Sequence, residues 1–328
     1  MAGFEELLRL AEMTSDGASR LFIQPHDFPD PDAVASAFAL KHLFSCRGVK
    51  TTIVYEGDLQ RSALLAMIAK LGIRIVRAAE AVISPADRVI IVDGCKGTKN
   101  VSDLPAREIA VLDHHLVKAP EDVPYTDIRP ELGSCSTLLE NYWTESGERI
   151  PPDVATALVI GISVDTAILT RGATEEDIGA YYRLSRVANL ALAQEILRRN
   201  LEKGDLEFYR FALEHADIGG DLAFCHFPQG CDQNLLGILA DFFIAVREVH
   251  FVVLSAANPG GINLSVRSDR PEWNAALLLK DLLDGDGFGG GHDDMAGGII
   301  PDSSRYHPKE FRERLEAKLA QSTGTSLS

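Results

Sequence analysis

The chain has 328 residues, about two domains' worth at roughly 150 residues each, and its 46% hydrophobic and 24% charged content is that of a folded protein, not a disordered one. Thirty-two basic residues against 48 acidic ones leave a formal charge of −16. That field repels long polyanions and excludes a broad basic face for duplex DNA, while small phosphorylated ligands stay open wherever metal ions supply local positive charge.

Residues 1–16, with Glu5, Glu6 and Glu12, read as an amphipathic helix without the basic and apolar regions of a signal peptide. Residues 21–23 form a short strand that runs into Gln24 and Pro25. A helix from about 32 to 46 follows, with Val34, Phe38 and Leu43 on one face and Gly48 at its end. Residues 52–55 make the next strand, 59–71 a helix closed by Gly72, and 88–92 and 109–112 two further strands. The last two are almost wholly apolar, as strands covered on both faces must be. Such alternation predicts an α/β fold, a doubly wound and mainly parallel sheet with its ligand site beyond the carboxyl ends of the strands.

Pro151 and Pro152 open an apolar helix over about 155–167, and Thr174 with Asp177 makes a capping box for a long helix ending near 198–200. The first domain is therefore expected over 1–199 and a linker over 200–205. Strands at 222–227, 250–254 and 261–266, with helices at 235–245 and 273–283, predict a smaller α/β or α+β domain over 206–318. The Ser/Thr/Gly composition of 319–328 predicts a disordered tail. Five cysteines, at 46, 95, 135, 225 and 231, form no C-x-x-C pair, which argues for reduced thiols and a cytoplasmic protein. No apolar run approaches the roughly 18 residues of a membrane span.

The chemistry gathers where strands end. His26, Asp30 and Asp32 form H-x-x-x-D-x-D on the loop after the first strand; the apolar strands run into Asp93-Gly94 and Asp113-His114-His115; Asp165 lies inside the apolar helix. Any one of these acids alone would serve as a cap or turn former, and a lone histidine as a satisfied one. Four acid-bearing segments converging on one sheet edge carry a different meaning. A buried, unpaired carboxylate is costly, so Asp165 needs a cation or donor partner. Imidazole and carboxylate, with no thiolate close by except Cys95, suit Mn²⁺ or Mg²⁺ better than structural zinc. The candidate ligands exceed the need of one ion. Two ions about 3.5–4 Å apart, sharing a carboxylate, fit that number and suit in-line attack of an activated water on phosphorus.

His26-Asp27-Phe28-Pro29-Asp30-Pro31-Asp32-Ala33, Val92-Asp93, Asp113-His114-His115 and Gly161-Ile162-Ser163-Val164-Asp165-Thr166 resemble, in order, the four motifs of the DHH phosphoesterase superfamily. Ser265-Val266-Arg267-Ser268 and Gly289-Gly290-Gly291-His292 resemble its DHHA1 companion domain. The resemblance covers about residues 15 to 300 and leans toward the small stand-alone group of nanoRNase and oligoribonuclease-like proteins. It implies that His26 and Asp30 hold one Mn²⁺, that Asp32, His114 and Asp165 hold a second, and that Asp93 bridges them, with Mg²⁺ as the alternative metal. Asp113 would then orient His114 or support the cluster from behind, and His115 would face the scissile phosphate as a donor. Two departures stand out: Pro31 and Ala35 replace glycines usual in the first motif, which stiffens the loop, and Asp293-Asp294 follow the glycine-histidine motif, which disfavours extra phosphates.

In the second domain the glycines from 285 to 291 read as a loop whose amides can nest an anion, and Arg267 as a clamp for the far end of the substrate. Gly289, Gly290, Gly291, His292 and Arg267 are thus the expected substrate-binding residues. Chemistry on one domain and end recognition on the other would measure substrate length. The function expected is a Mn²⁺-dependent phosphodiesterase acting on short linear ribonucleotides, chiefly 5′-phosphorylated dinucleotides such as pGpG or pApA. The alternatives are a phosphatase acting on 3′-phosphoadenosine 5′-phosphate and, from another class, a non-catalytic nucleotide sensor. The partners are then a short RNA or dinucleotide, with no duplex DNA and no membrane, and a homodimer is compatible with the resemblance.

Overall fold

The computed structural model describes residues 3–13, 19–59 and 62–324. They form two units, the first ending at Asn200. In the first, α1 (Phe4–Met13) precedes β1 (Leu21–Pro25), α2 (Pro31–Cys46), β2 (Thr51–Tyr55), α3 (Ser62–Leu71), β3 (Ile75–Arg77), β4 (Arg88–Val92), β5 (Arg107–Asp113) and β6 (Tyr125–Ile128). Four helices close the unit: α4 (Cys135–Ser146), α5 (Pro152–Asp165), α6 (Glu175–Ser185) and α7 (Leu190–Arg198). Residues 14–16 of the amphipathic N-terminal helix lie outside the described residues.

The six strands lie in the order β3-β2-β1-β4-β5-β6, every pair parallel. The strand order reverses between β1 and β4, which is where a doubly wound sheet opens a crevice at its carboxyl edge. Period-two alternation explains the two covered faces: Ile90 and Val92 enter the main core with Ile23, Ile53 and Leu112, while Val89 joins Phe22 and Val54 on the opposite side. β3 and β6, strands of three and four residues, went unpredicted.

α2 begins where Asp30 accepts a hydrogen bond from Ala33 N at 3.0 Å with Pro31 in the first helical position, a start that a fixed φ and a capping carboxylate both favour. The helix expected over 174–200 is two helices. Asn189 accepts from Leu192 N at 3.1 Å and so starts α7 afresh, while its own amide donates to Thr156 Oγ1 at 2.9 Å. The capping box of Thr174 and Asp177 is present. The apolar helix stops at Asp165 instead of passing it, because residues 167–169 turn left-handed.

The second unit holds α8 (Leu206–His215), β7 (Asp217–Gly219), β8 (Leu222–Phe227), α9 (Gln233–Ile244), β9 (Phe251–Asn258), β10 (Gly261–Ser268), α10 (Ala275–Leu282), β11 (Phe288–Gly291), β12 (Met295–Ile300) and α11 (Pro308–Gly324). Its sheet runs β11-β12-β10-β9-β8-β7 and is antiparallel apart from the β8–β9 pair. Within the expected linker, Lys203–Asp205 is a short 3-10 helix. The disordered tail expected over 319–328 is helical as far as Gly324, and 325–328 lie outside the described residues. Phe311, Leu315 and Leu319, spaced four apart, bury one stripe of α11, and the Leu319 carbonyl accepts from Trp273 Nε1 at 3.2 Å. A composition argument overlooks that stripe.

Candidate metal centre

The cluster assembles at the carboxyl edge of the parallel sheet. β1 delivers His26, the start of α2 delivers Asp30 and Asp32, β4 is followed by Asp93, β5 ends in Asp113 with His114 and His115 next, and α5 ends in Asp165. Asp93 stands between the two groups of side chains. Its Oδ2 is 3.7 Å from His26 Nε2, which is 4.0 Å from Asp30 Oδ1. Its Oδ1 is 3.4 Å from His114 Nε2, which is 3.3 Å from Asp165 Oδ2. His26, Asp30 and Asp93 form one set with metal-sized spacing, Asp32, His114 and Asp165 a second, and Asp93, His114 and His115 a third.

Each histidine is fixed from behind. His26 Nδ1 lies 2.8 Å from the Asp27 carbonyl and His114 Nδ1 3.2 Å from the Leu132 carbonyl. A carbonyl only accepts, so each Nδ1 carries the hydrogen and each neutral ring turns its Nε2 lone pair toward the acids. His115 is held differently: its Nδ1 donates to Asp113 Oδ1 at 2.8 Å, and the backbone amides of His114 and His115 donate to the same oxygen. Asp113 therefore orients His115 through its ring and His114 through its amide.

Asp32 sits at the N-terminus of a second helix. Its Oδ2 accepts from Cys135 N at 2.8 Å and its Oδ1 from Ser136 N at 2.9 Å, the first amides of α4. These donors went unread in the sequence, although Ser134 with Thr137 is a visible helix-capping pair; Ser134 accepts from Thr137 N at 3.2 Å. Asp177 ties the same turn down by accepting from Gly133 N, Thr174 N and the Thr137 hydroxyl. Gly161 completes the packing. A Cβ there would collide with Ser136 Oγ and stand 2.6 Å from Asp32 Oδ1, so glycine lets α5 approach α2 and α4 one turn before Asp165.

The electrostatics of the cluster are unbalanced. Burial pushes the Asp32 carboxyl well up, and Asp165 and Asp93 add to the push. Burial and then Asp30 push Asp165 up as well. Burial opposes charge on His26 and His114, yet the surrounding carboxylates outweigh it and raise both. Asp93 shows the reverse balance, with burial working against ionisation while His114 and His26 bring it down to about 2. Three buried atoms here, Asp93 Oδ1, Asp113 Oδ2 and His114 Nε2, have no hydrogen-bond partner. Crowded acids, histidines with an inward lone pair and orphaned buried oxygen and nitrogen atoms are the donor set a hard divalent cation fits.

A model of the DHH family, N-terminal domain, matches residues 20–162, and a DHHA1 domain model matches 219–321. The chain belongs to the DHH/DHHA1 superfamily. Of this DHH chain's relatives, an uncharacterized protein from Methanocaldococcus jannaschii is 26% identical over 300 residues, 91% of this chain and 62% of the relative. A probable manganese-dependent inorganic pyrophosphatase from Shouchella clausii is 30% identical over 168 residues, 50% of this chain and 54% of the relative. The chain thus spans less than two thirds of either relative. Among solved structures, an exopolyphosphatase-related protein from Bacteroides fragilis superposes with a TM-score of 0.76 at 18% identity, over 97% of this chain and 95% of its own. At that identity the likeness is one of fold.

The expected substrate residues of the DHHA1 domain fare differently from the acids. Arg267 has a side chain only 9% exposed, and its guanidinium donates to Asp241, Ser265 Oγ and the Val266 and Gly237 carbonyls. It holds β10 to α9, and a phosphate would compete with those partners. The second half of the glycine-rich stretch, Phe288–Gly291, is an edge strand and not a loop: Gly289, Gly290 and Gly291 pair with Gly298, Gly297 and Ala296. Extended backbone cannot form the nest expected of it. Gly289 and Gly298 let Leu279 of α10 and Leu283 just after it pack on the sheet, while a Cβ at Gly290 would meet open space. His292 follows directly, its amide donating to Met295 O at 2.7 Å.

Proposed function

We propose that the protein is a Mn²⁺-dependent phosphodiesterase, with Mg²⁺ as the alternative metal, that hydrolyses short linear ribonucleotides, chiefly 5′-phosphorylated dinucleotides, to mononucleotides. The observation that carries the metal-dependent part is Asp93, whose two oxygens face two separate ligand sets. In this reading His26, Asp30 and Asp93 hold one ion, and Asp32, His114, Asp165 and Asp93 hold the other. When bound, such ions polarise a phosphoryl oxygen and lower the pKa of water.

The chain's own residues supply the rest. The α4 amides on Asp32 and the carbonyls behind His26 and His114 fix the ligand atoms before the substrate arrives. Asp113 fixes the His115 tautomer, which leaves Nε2 of that 40% exposed ring as the position that gives a proton to a phosphate or leaving oxygen. The Asp113 contact and burial act in opposite directions on His115, and its pKa is raised, which favours the donor form.

The net charge of −16 supports a short substrate over a long strand. In this reading Gly290 of the edge strand β11, where a Cβ would meet open space, and His292 just after the strand contact the substrate. The manganese-dependent pyrophosphatases among the relatives favour a second reading, hydrolysis of inorganic pyrophosphate.

The test follows Mn²⁺-supplemented hydrolysis of 5′-labelled pGpG, a longer RNA, 3′-phosphoadenosine 5′-phosphate and pyrophosphate, with Asp93→Ala as control. Rapid loss of pGpG that falls by on the order of 10³-fold in the variant is the expected result. Intact pGpG with manganese demonstrably bound overturns the dinucleotide reading and passes the lead to whichever other substrate is consumed.

A further inference from the structure

Among the described residues, the non-glycine positions with left-handed backbone are Phe28, Asp93, Ala167, Ile168 and Leu169. All of them lie in loops of the metal-ligand cluster. The left-handed region is disfavoured for any residue with a Cβ and most for a β-branched one such as Ile168, so this strain is stored at one place. Asp93 is accounted for by its own carboxylate. The others ligate nothing.

These segments are pinned. Thr166 Oγ1 accepts from Leu169 N at 3.0 Å, Ile168 N donates to Ser163 O at 2.7 Å, and Thr170 N donates to Thr166 O at 2.9 Å. Phe28 N donates to Glu56 O at 3.0 Å, and its ring lies so close over Gly57 that a Cβ there would stand 2.8 Å from it. What the pinned turns present to water is apolar: Phe28 is 59% exposed and Ile168 63%, and Leu116, directly after His115, is 90% exposed. One, two and three residues of chain separate Leu116, Phe28 and Ile168 from His115, His26 and Asp165. At about 3.8 Å per residue, their Cα atoms lie within about 4, 8 and 11 Å of the Cα atoms of those cluster residues.

Single exposed apolar residues are ordinary on protein surfaces. Three around one polar cluster, two of them held there against backbone preference, are not explained that way. Of the basic side chains near the same motifs, two are engaged with acids of their own: Lys96 is 3.2 Å from Glu108 and 2.6 Å from Asp122, and Arg129 is bidentate on Asp127 at 2.8 Å. At Phe28, Leu116 and Ile168 these loops offer a ligand exposed carbon, which an inorganic pyrophosphate or polyphosphate has no group to contact. We infer that Phe28, Leu116 and Ile168 form an apolar rim that contacts the nucleoside flanking the scissile phosphate. The rim thereby selects an organic phosphodiester over an inorganic phosphoanhydride. The inference rests on the phosphodiesterase reading and assigns its specificity to these residues.

Steady-state kinetics on pGpG, on its analogue lacking one base and on pyrophosphate test this, with wild type, Leu116→Ser and Ile168→Asn. Leu116 is exposed enough to change without unfolding, and asparagine tolerates the left-handed turn. The expected result is a rise of about tenfold in KM for pGpG in each variant, with the abasic analogue changed less than twofold and Mn²⁺ affinity by calorimetry unchanged. Equal changes for pGpG and the abasic analogue, or no change in either, overturn the rim while leaving a working phosphodiesterase. Wild-type cleavage of pyrophosphate with neither dinucleotide touched overturns the phosphodiesterase reading itself.

Discussion

β4 has an aspartate at each end, and the two live in opposite circumstances. Asp87, just before the strand, accepts hydrogen bonds from Arg20 N, Nε and Nη2 and from Ser84 N and Oγ. Asp93, just after it, has a left-handed backbone and an Oδ1 with no hydrogen-bond partner. Both are buried, at 1% and 2% exposure. A buried carboxylate that is fully donated to is a structural part; one left short of donors, and strained, is waiting for something the chain does not supply. The amino edge of the sheet holds the fold together and the carboxyl edge is prepared for a ligand.

The largest way to break that contrast is to add the cation. Manganese at about 1,000 times its dissociation constant stabilises the folded state by about 4 kcal/mol, and hydrogen exchange is expected to slow at the cluster loops and little in the second unit. Uniform slowing, or none, would remove the distinction between the two edges.

Arg267 extends the comparison to the second unit, where a buried charge is satisfied as Asp87 is. Asp241 is 52% exposed and keeps water when its partner goes, so Arg267→Ala loses the hydrogen bonds that tie β10 to α9, and it is expected to cost about 2–3 kcal/mol by denaturant titration and to leave Mn²⁺ affinity unchanged. A variant of wild-type stability with a raised KM would instead make Arg267 a substrate residue.

Asp87→Asn is the smallest effect, about 2 kcal/mol at pH 7. Its donors, Arg20 first, hold the Asp87 carboxyl well below the usual range although burial opposes them. A depressed folded pKa contributes stability that is fully present above the unfolded value of about 3.9 and is lost as pH falls toward the folded one. The gap between wild type and variant is therefore expected to hold from pH 7 to about 5 and to shrink below about pH 4; a gap that is constant to pH 2 would contradict the ionised-carboxylate account.

The acids of the cluster were legible because each stands where a recognisable apolar strand stops or a helix starts: His26 after Pro25, Asp93 after Val92, Asp113 before the paired histidines. Pairing strands in parallel sends all those ends to one edge, so chain order alone placed them together. What Arg267 and the glycines contact was not legible, for a matching reason. A basic residue or a glycine run has a meaning set by what lies opposite it, here Asp241 on α9 and Gly297 and Gly298 on β12, and those partners are brought up from distant sequence.

By itself, then, the sequence determined which residues line the carboxyl edge and that they are acids and imidazoles, since strand period and residue chemistry are local. Only the tertiary structure decided how Asp93 divides its two oxygens, which amides hold Asp32, and that Gly161 is the gap through which α5 brings Asp165 in. Those outcomes depend on close packing between helices far apart in the chain, where a single Cβ is enough to change which atoms meet.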